Sequence, residues 1–565
     1  MFAFWCSARA VVFASVVLLA GNAAAGTPSP WPASRPAVAA PDRYGADTAA
    51  ETLASGGNAI DAAVAVAFTL AVTYPEAGNL GGGGFATLLV DGKAYFLDYR
   101  ERAPESATAG MYLDAAGKIV PNASMVGAGA AGVPGTVAGL WQLHRRFGRL
   151  PWGADLAPSI RYAHQGFRVS RMLAARRDDA AASLHGRTNF LAYFGALAAD
   201  ATFRQPELES TLRRIAAAGP RGFYAGRTAE LIVTEMARSH GHVTRADLAA
   251  YRALWREPLA ADWAGYRVLT APLPSSGGIA LLSMLAMKTD LAASFAGVAH
   301  NSPQYVHLLA EIEKRVFADR AAYLGDPDLQ PAPVAQLLDP AYLTRRASEV
   351  SIEHPTPIGE VKAGLDEHHN TTHFSIVDRW GNAVSNTYTL NEWFGSGQVV
   401  SGAGFLLNNE MDDFSVKPGA ANNYGVVGGD ANAIAPGKRP LSTMTPTILT
   451  AHGNVALVIG TPGGSRIATS IVQVLMNWHD FQMPLADAVA AVRVHHQLLP
   501  PDVIFEEPYG GLPPAVHTEL VARGYRFIDQ GYDGDIEAIA CSESNCQAVA
   551  DPRGRGVARV LAPSR

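Results

Sequence analysis

His369-Asn370-Thr371-Thr372-His373-Phe374-Ser375-Ile376-Val377-Asp378 joins a short polar segment, Asp366 to Asn370, to an alternating strand-like run. Two threonines sit at the junction. A threonine inside a chain is a weak nucleophile because its hydroxyl has no base of its own. Cutting the peptide bond before it gives the same residue a free α-amine, with an unperturbed pKa of roughly 7.7–8.0. Nucleophile and base then belong to one residue. Thr371, released by cleavage after Asn370, is the candidate for such an N-terminal nucleophile, although an ordinary strand threonine has the same local pattern and nothing in the stretch prefers it to Thr372.

The flanks are consistent with such a site. After Thr371, the runs Thr372 to Asp378 and Ala383 to Leu390 alternate and carry β-branched and aromatic residues, with Gly381-Asn382 between them, which predicts a hairpin. Phe405 to Asn408 and Val455 to Gly460 are further strand candidates, and a helix is expected over Ser465 to Trp478. Upstream, Asp47 to Leu53 and Asn58 to Val72 read as helices, with Asn58 as an N-cap. The second is apolar nearly all round and is expected to be buried. Gly81 to Gly84 are four consecutive glycines, but no Gly-Lys-Ser/Thr follows, so a phosphate loop is excluded. A tight loop with close backbone approach is expected instead. Phe85 to Val90 and Lys93 to Tyr99 predict a hairpin around Asp91-Gly92. Val137 to Met287 reads as mostly helical, and Gln304 to Tyr323 as one long amphipathic helix. Pro331 to Pro340 and Pro355 to Pro357 punctuate a looser segment leading to Asn370, as suits a stretch that is cut and swung away.

The chain has 565 residues, ample for a sizeable core, and a net charge of -6 gives no reason to expect a nucleic acid partner. Arg9, the apolar run Ala10 to Ala20, and Ala23-Ala24-Ala25 predict a secretory signal peptide cut after Ala25. The run is shorter than the ~20 residues that span a bilayer, so no membrane span is expected. The mature protein is expected to be exported, periplasmic or secreted. Cys6 leaves with the signal, and Cys541 and Cys546 remain, as a small disulfide loop or as two free thiols.

Five further features could carry chemistry. Thr389-Leu390-Asn391 ends the strand expected to pair with the one Thr371 begins. Asn408-Asn409-Glu410-Met411-Asp412-Asp413-Phe414 is an acid-amide cluster that suits a substrate ammonium, although a solvated turn has the same composition and an EF-hand spacing is absent. It runs into a Gly-, Asn- and Pro-containing loop, Pro418 to Gly429, that holds Tyr424. Ser442 and Thr443 are hydroxyls in a Pro-bounded turn. Gly463-Gly464 lies between a strand and a helix, where backbone N–H groups can form an oxyanion hole or where glycine serves close packing. Arg100, just beyond the first hairpin, could fork onto a carboxylate. The pairs His368-His369 and His495-His496 point apart if on strands and lack a His-Glu-x-x-His pattern, so no metal and no cofactor is expected. No Gly-x-Ser-x-Gly elbow is present.

Taken together, Asn79 to Phe85, Asp98-Tyr99-Arg100-Glu101, Pro274 to Gly278, Thr371 to Ser375, Asn408 to Phe414, Arg439 to Met444 and Pro462 to Arg466 resemble the γ-glutamyltranspeptidase family of N-terminal nucleophile hydrolases. They occur in the family's order from about Pro41 to Arg553. The resemblance implies an α+β fold, a four-layer αββα sandwich, and a precursor that cuts itself between Asn370 and Thr371. Residues 1–25 would be the signal peptide, 26–370 a large subunit and 371–565 a small subunit, the two forming a heterodimer. It selects Thr371 over Thr372 as nucleophile.

The resemblance also implies that Arg100, Ser442 and Thr443 bind the α-carboxylate of a γ-glutamyl group, and that Asn391, Glu410 and Asp413 bind its α-ammonium. Gly463 and Gly464 would hold the oxyanion, Thr389 would hydrogen-bond the Thr371 hydroxyl, and Pro418 to Gly429 with Tyr424 would form a lid. Two positions depart from the common pattern: Glu410, where Gln is frequent, and Thr443, where a second Ser is frequent. The implied reaction is attack on the γ-glutamyl amide of glutathione or a similar compound, with transfer to water or to an amino acid or dipeptide. The alternatives are a glutaryl or cephalosporin acylase, a poly-γ-glutamate hydrolase, or an unprocessed exported protein that binds γ-glutamyl peptides.

Overall fold

The computed structural model describes residues 35–357, 359–361, 370–417, 429–506, 510–529, 534–543 and 545–562. The strands Asn370–Val377 and Ala383–Asn391 pair antiparallel at the centre of a seven-stranded sheet. The sheet order is Val557–Val560, Ala37–Ala40, Asn370–Val377, Ala383–Asn391, Gly83–Val90, Lys93–Asp98, Leu254–Arg256. A second, six-stranded sheet runs Cys546–Ala550, Glu537–Cys541, Asn454–Gly460, Thr447–Ala451, Tyr266–Thr270, Leu259–Trp263.

Strand alternation sorts the side chains into layers. Val38, Ala40, Phe374, Ile376, Val384 and Tyr388 pack against the helices Ala59–Thr73, Thr136–Phe147 and Trp152–Gln165 on one outer side. The residues between them in sequence, such as Ala37, Ala39, Val377 and Ala383, meet Leu269, Ile448, Val458 and Ile539 between the sheets. Leu449, Leu457 and Ile459 of the second sheet pack on helices Gly277–Asp290, Pro303–Tyr323 and Arg466–His479 on the other side. The order is therefore helix, sheet, sheet, helix, an α+β sandwich.

Both expected hairpins form, with the first strand beginning at Gly83 rather than Phe85. Helix Ala59–Thr73 is buried at every residue, and Asn58 caps it in a reciprocal box with Asp61. Cys541 and Cys546 form a disulfide across the last hairpin of the six-stranded sheet. Among the described residues no helix is long and apolar enough to cross a membrane.

Three expectations need correction. The mostly helical stretch Val137 to Met287 contains the strands Leu254–Arg256, Leu259–Trp263 and Tyr266–Thr270, which join both sheets. At three to five residues each they are too short to register a period; Leu259–Trp263 and Tyr266–Thr270 pair with each other, and Tyr266–Thr270 and Leu254–Arg256 also pair with distant strands. Phe405 to Asn408 is not a strand; Leu406 and Leu407 make isolated bridges to Val399 and Gly81, and Asn408 turns its amide onto the Gly81 and Gly132 carbonyls. Between the two proline clusters the chain is also less loose than expected, because Asp339 caps a helix over Pro340–Ser348. The expected signal peptide, Pro418 to Gly428 of the expected lid with Tyr424, and His368-His369 lie outside the described residues.

Candidate active site

Thr371 is fully buried and stands opposite Thr389, and Thr372 stands opposite Tyr388. On the face that Thr371 shares with His373 and Ser375, polar groups tie the two sheets together. The Ser375 hydroxyl donates to the Glu537 carbonyl at 2.8 Å. Ser375 therefore accepts from His373 Nε2 at 3.1 Å, and His373 Nδ1 accepts from the Thr387 hydroxyl at 2.8 Å. Burial lowers the His373 pKa to about 3, so the ring is neutral. Its room comes from Gly460, where an added Cβ would sit 2.3 Å from the ring. Neither the Thr371 nor the Thr372 hydroxyl has a hydrogen-bond partner among the described residues.

The expected bond from Thr389 to the Thr371 hydroxyl is thus not made in the uncleaved chain. The Thr389 hydroxyl instead accepts from the Asn391 N–H at 2.7 Å. The cause is a register shift between Thr389 and Asn391, with Asn391 at φ 79°, which folds the strand end back on itself.

The glycine run supplies the close approach expected of it. An added Cβ would lie 2.1 Å from the Leu406 carbonyl oxygen at Gly81, 2.0 Å from that of Thr389 at Gly82, and 2.5 Å from that of Thr387 at Gly84. Asn79 locks this contact: its amide donates to the Thr389 carbonyl at 2.8 Å and accepts from the Gly82 N–H at 3.0 Å. No local sequence signal singled out this role for Asn79.

Arg100 follows the strand Lys93–Asp98 and is 1% exposed. Its Nη1 lies 2.6 Å from Glu410 Oε2 and its Nη2 pairs with Asp413, both from the turn Glu410–Asp413. The same guanidinium donates to the Pro440 carbonyl at 3.3 Å and the Leu441 carbonyl at 3.4 Å. One side chain thus joins the acidic turn to the segment that leads into Ser442 and Thr443. Burial alone would lower the Arg100 pKa, but Glu410, Asp413 and Glu101 together raise it above the ordinary value. Asn391 reaches the same turn, donating to the Asn409 carbonyl at 3.0 Å.

Ser442 is held by backbone bonds to Pro274 and Ser276, and its hydroxyl accepts from the Met444 N–H at 3.2 Å, leaving its proton to donate. The buried Thr443 hydroxyl has no partner among the described residues. Gly463 and Gly464 have φ values of 132° and 59°, between the strand Asn454–Gly460 and the helix Arg466–His479, a conformation that favours glycine. Thr461 braces this turn, accepting from the Asp535 N–H at 3.0 Å and donating to the Pro462 carbonyl at 2.8 Å. The turn starts just past Gly460, the residue that packs on His373.

Asp61, His144 and Asp155 are the group of described residues whose ligand atoms lie close enough for a metal, within 4.8 Å of one another. Asp61 spends its carboxylate on the N–H groups of Asn58, Arg149 and Leu150, so it serves as a helix cap. The adjacent His495 and His496 go to separate partners, Thr469 and Gln497 for the first and the Leu498 N–H for the second.

The profile of the γ-glutamyltranspeptidase family matches residues 45–561. A glutathione hydrolase proenzyme of Pseudomonas aeruginosa is 61% identical over 528 residues, which is 93% of this chain and 95% of the relative. A solved γ-glutamyltranspeptidase chain from Pseudomonas nitroreducens, complexed with L-DON, is 57% identical with a TM-score of 0.57, over 57% of this chain and 97% of that one. A cephalosporin acylase from Bacillus halodurans superposes with a TM-score of 0.81 at 28% identity, over 94% of this chain and 97% of that one.

Proposed function

The chain belongs to the γ-glutamyltranspeptidase family and is an enzyme of the γ-glutamyltransferase and glutathione hydrolase type, and we propose that Thr371 is the residue that carries its chemistry. Cleavage between Asn370 and Thr371 turns the precursor into a large and a small subunit that stay together through the shared central sheet. The Pseudomonas aeruginosa relative is itself named a proenzyme.

In the mature enzyme the Thr371 α-amine takes the proton from its own hydroxyl as Oγ1 attacks the γ-carbonyl of glutathione or a related donor. The Gly463 and Gly464 N–H groups stabilise the oxyanion, a contribution of roughly 3–4 kcal/mol per donor in other acyl-transfer enzymes. The proton passes to the leaving amine, cysteinylglycine departs, and a γ-glutamyl ester remains on Thr371. Water resolves it to glutamate, or the amine of an amino acid or dipeptide takes the group. The protein works outside the cytoplasm, after loss of residues 1–25.

The observation that carries this reading is the position of Arg100, which touches Glu410, Asp413 and the Leu441 carbonyl at once. A cation paired with two acids in the free chain offers a zwitterion both of its counter-charges. The α-carboxylate takes Arg100 together with the Ser442 and Thr443 hydroxyls, and the α-ammonium takes Glu410, Asp413 and Asn391. The Thr371 hydroxyl is buried and unbonded, as is that of Thr372, so the choice between the two rests on the family resemblance.

Mass spectrometry of the mature chains tests the proposal, with a new amino terminus at Thr371 as the expected result. A single full-length chain in active preparations would sink it. The shared fold with a cephalosporin acylase keeps a second reading in view. Comparing γ-glutamyl-p-nitroanilide with glutaryl-p-nitroanilide separates the two, and equal turnover would favour the acylase.

A further inference from the structure

Asn432 lies in the short turn Asp430–Asn432 and is 6% exposed. Its Nδ2 donates to the Asp413 carbonyl at 2.6 Å, and its Oδ1 accepts from the Leu441 N–H at 3.0 Å. A carbonyl only accepts and an N–H only donates, so the amide orientation is set by its partners. The backbone is fixed as well: the Asn432 carbonyl accepts from the Ser415 N–H at 2.9 Å. On either side the buried Lys438 ammonium donates to the Ala431 and Ala433 carbonyls at 2.8 and 2.9 Å.

One buried side chain therefore spans two backbone points. The first belongs to Asp413. The second immediately precedes Ser442. We propose that Asn432 is a positioning residue that sets the separation between the ammonium-binding and carboxylate-binding arms of the donor site, and so selects donors that carry both charges; this rests on the zwitterion reading of the site given above. Arg100 pulls the same two segments together by charge. A salt link alone tolerates a range of separations, whereas two opposed hydrogen bonds through a short planar amide define one. Asn432 touches no reacting atom in this scheme and acts through the two segments it holds.

The prediction is specific because a ligand that engages one arm does not sense the spacing between two. L-Glutamate presents both charges. Glutarate lacks the ammonium, and 4-aminobutyrate lacks the α-carboxylate. Competitive inhibition constants for the three are to be measured against γ-glutamyl-p-nitroanilide, on mature wild-type enzyme and on Asn432→Ala. The expected result is a rise of about tenfold for L-glutamate, with less than twofold change for the one-armed analogues. Asn432→Ser, whose hydroxyl serves one partner but not both, should show a smaller rise of the same pattern, and it keeps the test open if the alanine variant folds poorly. Equal weakening of all three inhibitors would mean general loosening and would overturn the proposal, as would an unchanged L-glutamate constant. If wild-type enzyme binds all three equally, the zwitterion clamp itself fails and takes the inference with it.

Discussion

Thr371 and Thr389 are a cross-strand pair, yet their hydroxyls do not meet: that of Thr389 accepts from the Asn391 N–H at 2.7 Å, and that of Thr371 has no partner among the described residues. The nucleophile we propose is held by the backbone ladder and left free at its hydroxyl. Thr371→Ala should give one full-length chain on a denaturing gel and no turnover. Thr389→Val keeps the shape and removes one hydroxyl. We expect it to lower kcat about tenfold, the worth of one hydrogen bond of roughly 1.5 kcal/mol, with Thr389→Ser close to wild type.

Gly82→Ala should be far worse than its chemistry suggests. The added methyl would sit 2.0 Å from the Thr389 carbonyl oxygen and 2.7 Å from Asn79 Oδ1. Relief requires breaking the Asn79 bond to Thr389. The expected cost is roughly 1–3 kcal/mol of stability, with precursor accumulating on a gel. Gly153→Ala, in the helix Trp152–Gln165 with nothing within 4 Å of an added Cβ, serves as control and should process normally.

Arg100→Lys should fail as a conservative change. Arg100 divides one planar fork between Glu410 and Asp413 while also reaching two carbonyls, and an ammonium on a flexible stem does not reproduce that. Steady-state kinetics should show KM for the γ-glutamyl donor raised by about a hundredfold or more, on the scale of roughly 3–5 kcal/mol for breaking a buried ion pair. Asp413→Asn should raise KM for γ-glutamyl-p-nitroanilide more than for the glutaryl compound, and equal increases would contradict its assignment.

Glu101 makes stability depend on pH in a predictable direction. Burial pushes its carboxyl up to about 8 from 4.5, with Arg100 at 3.5 Å pulling the other way. The folded chain holds this proton more tightly than the unfolded chain. Its contribution is full below pH 4.5 and is lost as pH rises through about 8. Glu101→Gln, neutral throughout, should therefore lose less Tm than wild type between pH 4.5 and 9, measured by thermal unfolding. Parallel Tm curves would refute this.

Much of the central scaffold was legible because its signals are local. The run from Thr372 to Asp378 alternates, Gly381-Asn382 marks a turn, and Asn58 precedes an apolar helix, so the central hairpin and the buried helix followed from patterning alone. The strands between Leu254 and Thr270 were hidden because three to five residues are too few to show a period. The Thr389 geometry was hidden for another reason: the expected partner was the Thr371 hydroxyl, and a register shift at the strand end brings the Asn391 N–H to the Thr389 hydroxyl instead.

By itself the order of residues determined that a threonine lies at the start of a strand, that a glycine run precedes another, and that an arginine, an acidic turn, a hydroxyl pair and a Gly-Gly turn lie along the same chain. Only the tertiary structure decided how they meet. Arg100 joins residues more than 300 positions away, and Asn79 reaches Thr389 across 310 positions. Asn432 ties Asp413 to the segment before Ser442 through a single amide. Such contacts carry no local signature, because they exist only once two sheets have stacked and brought the ends of distant strands together.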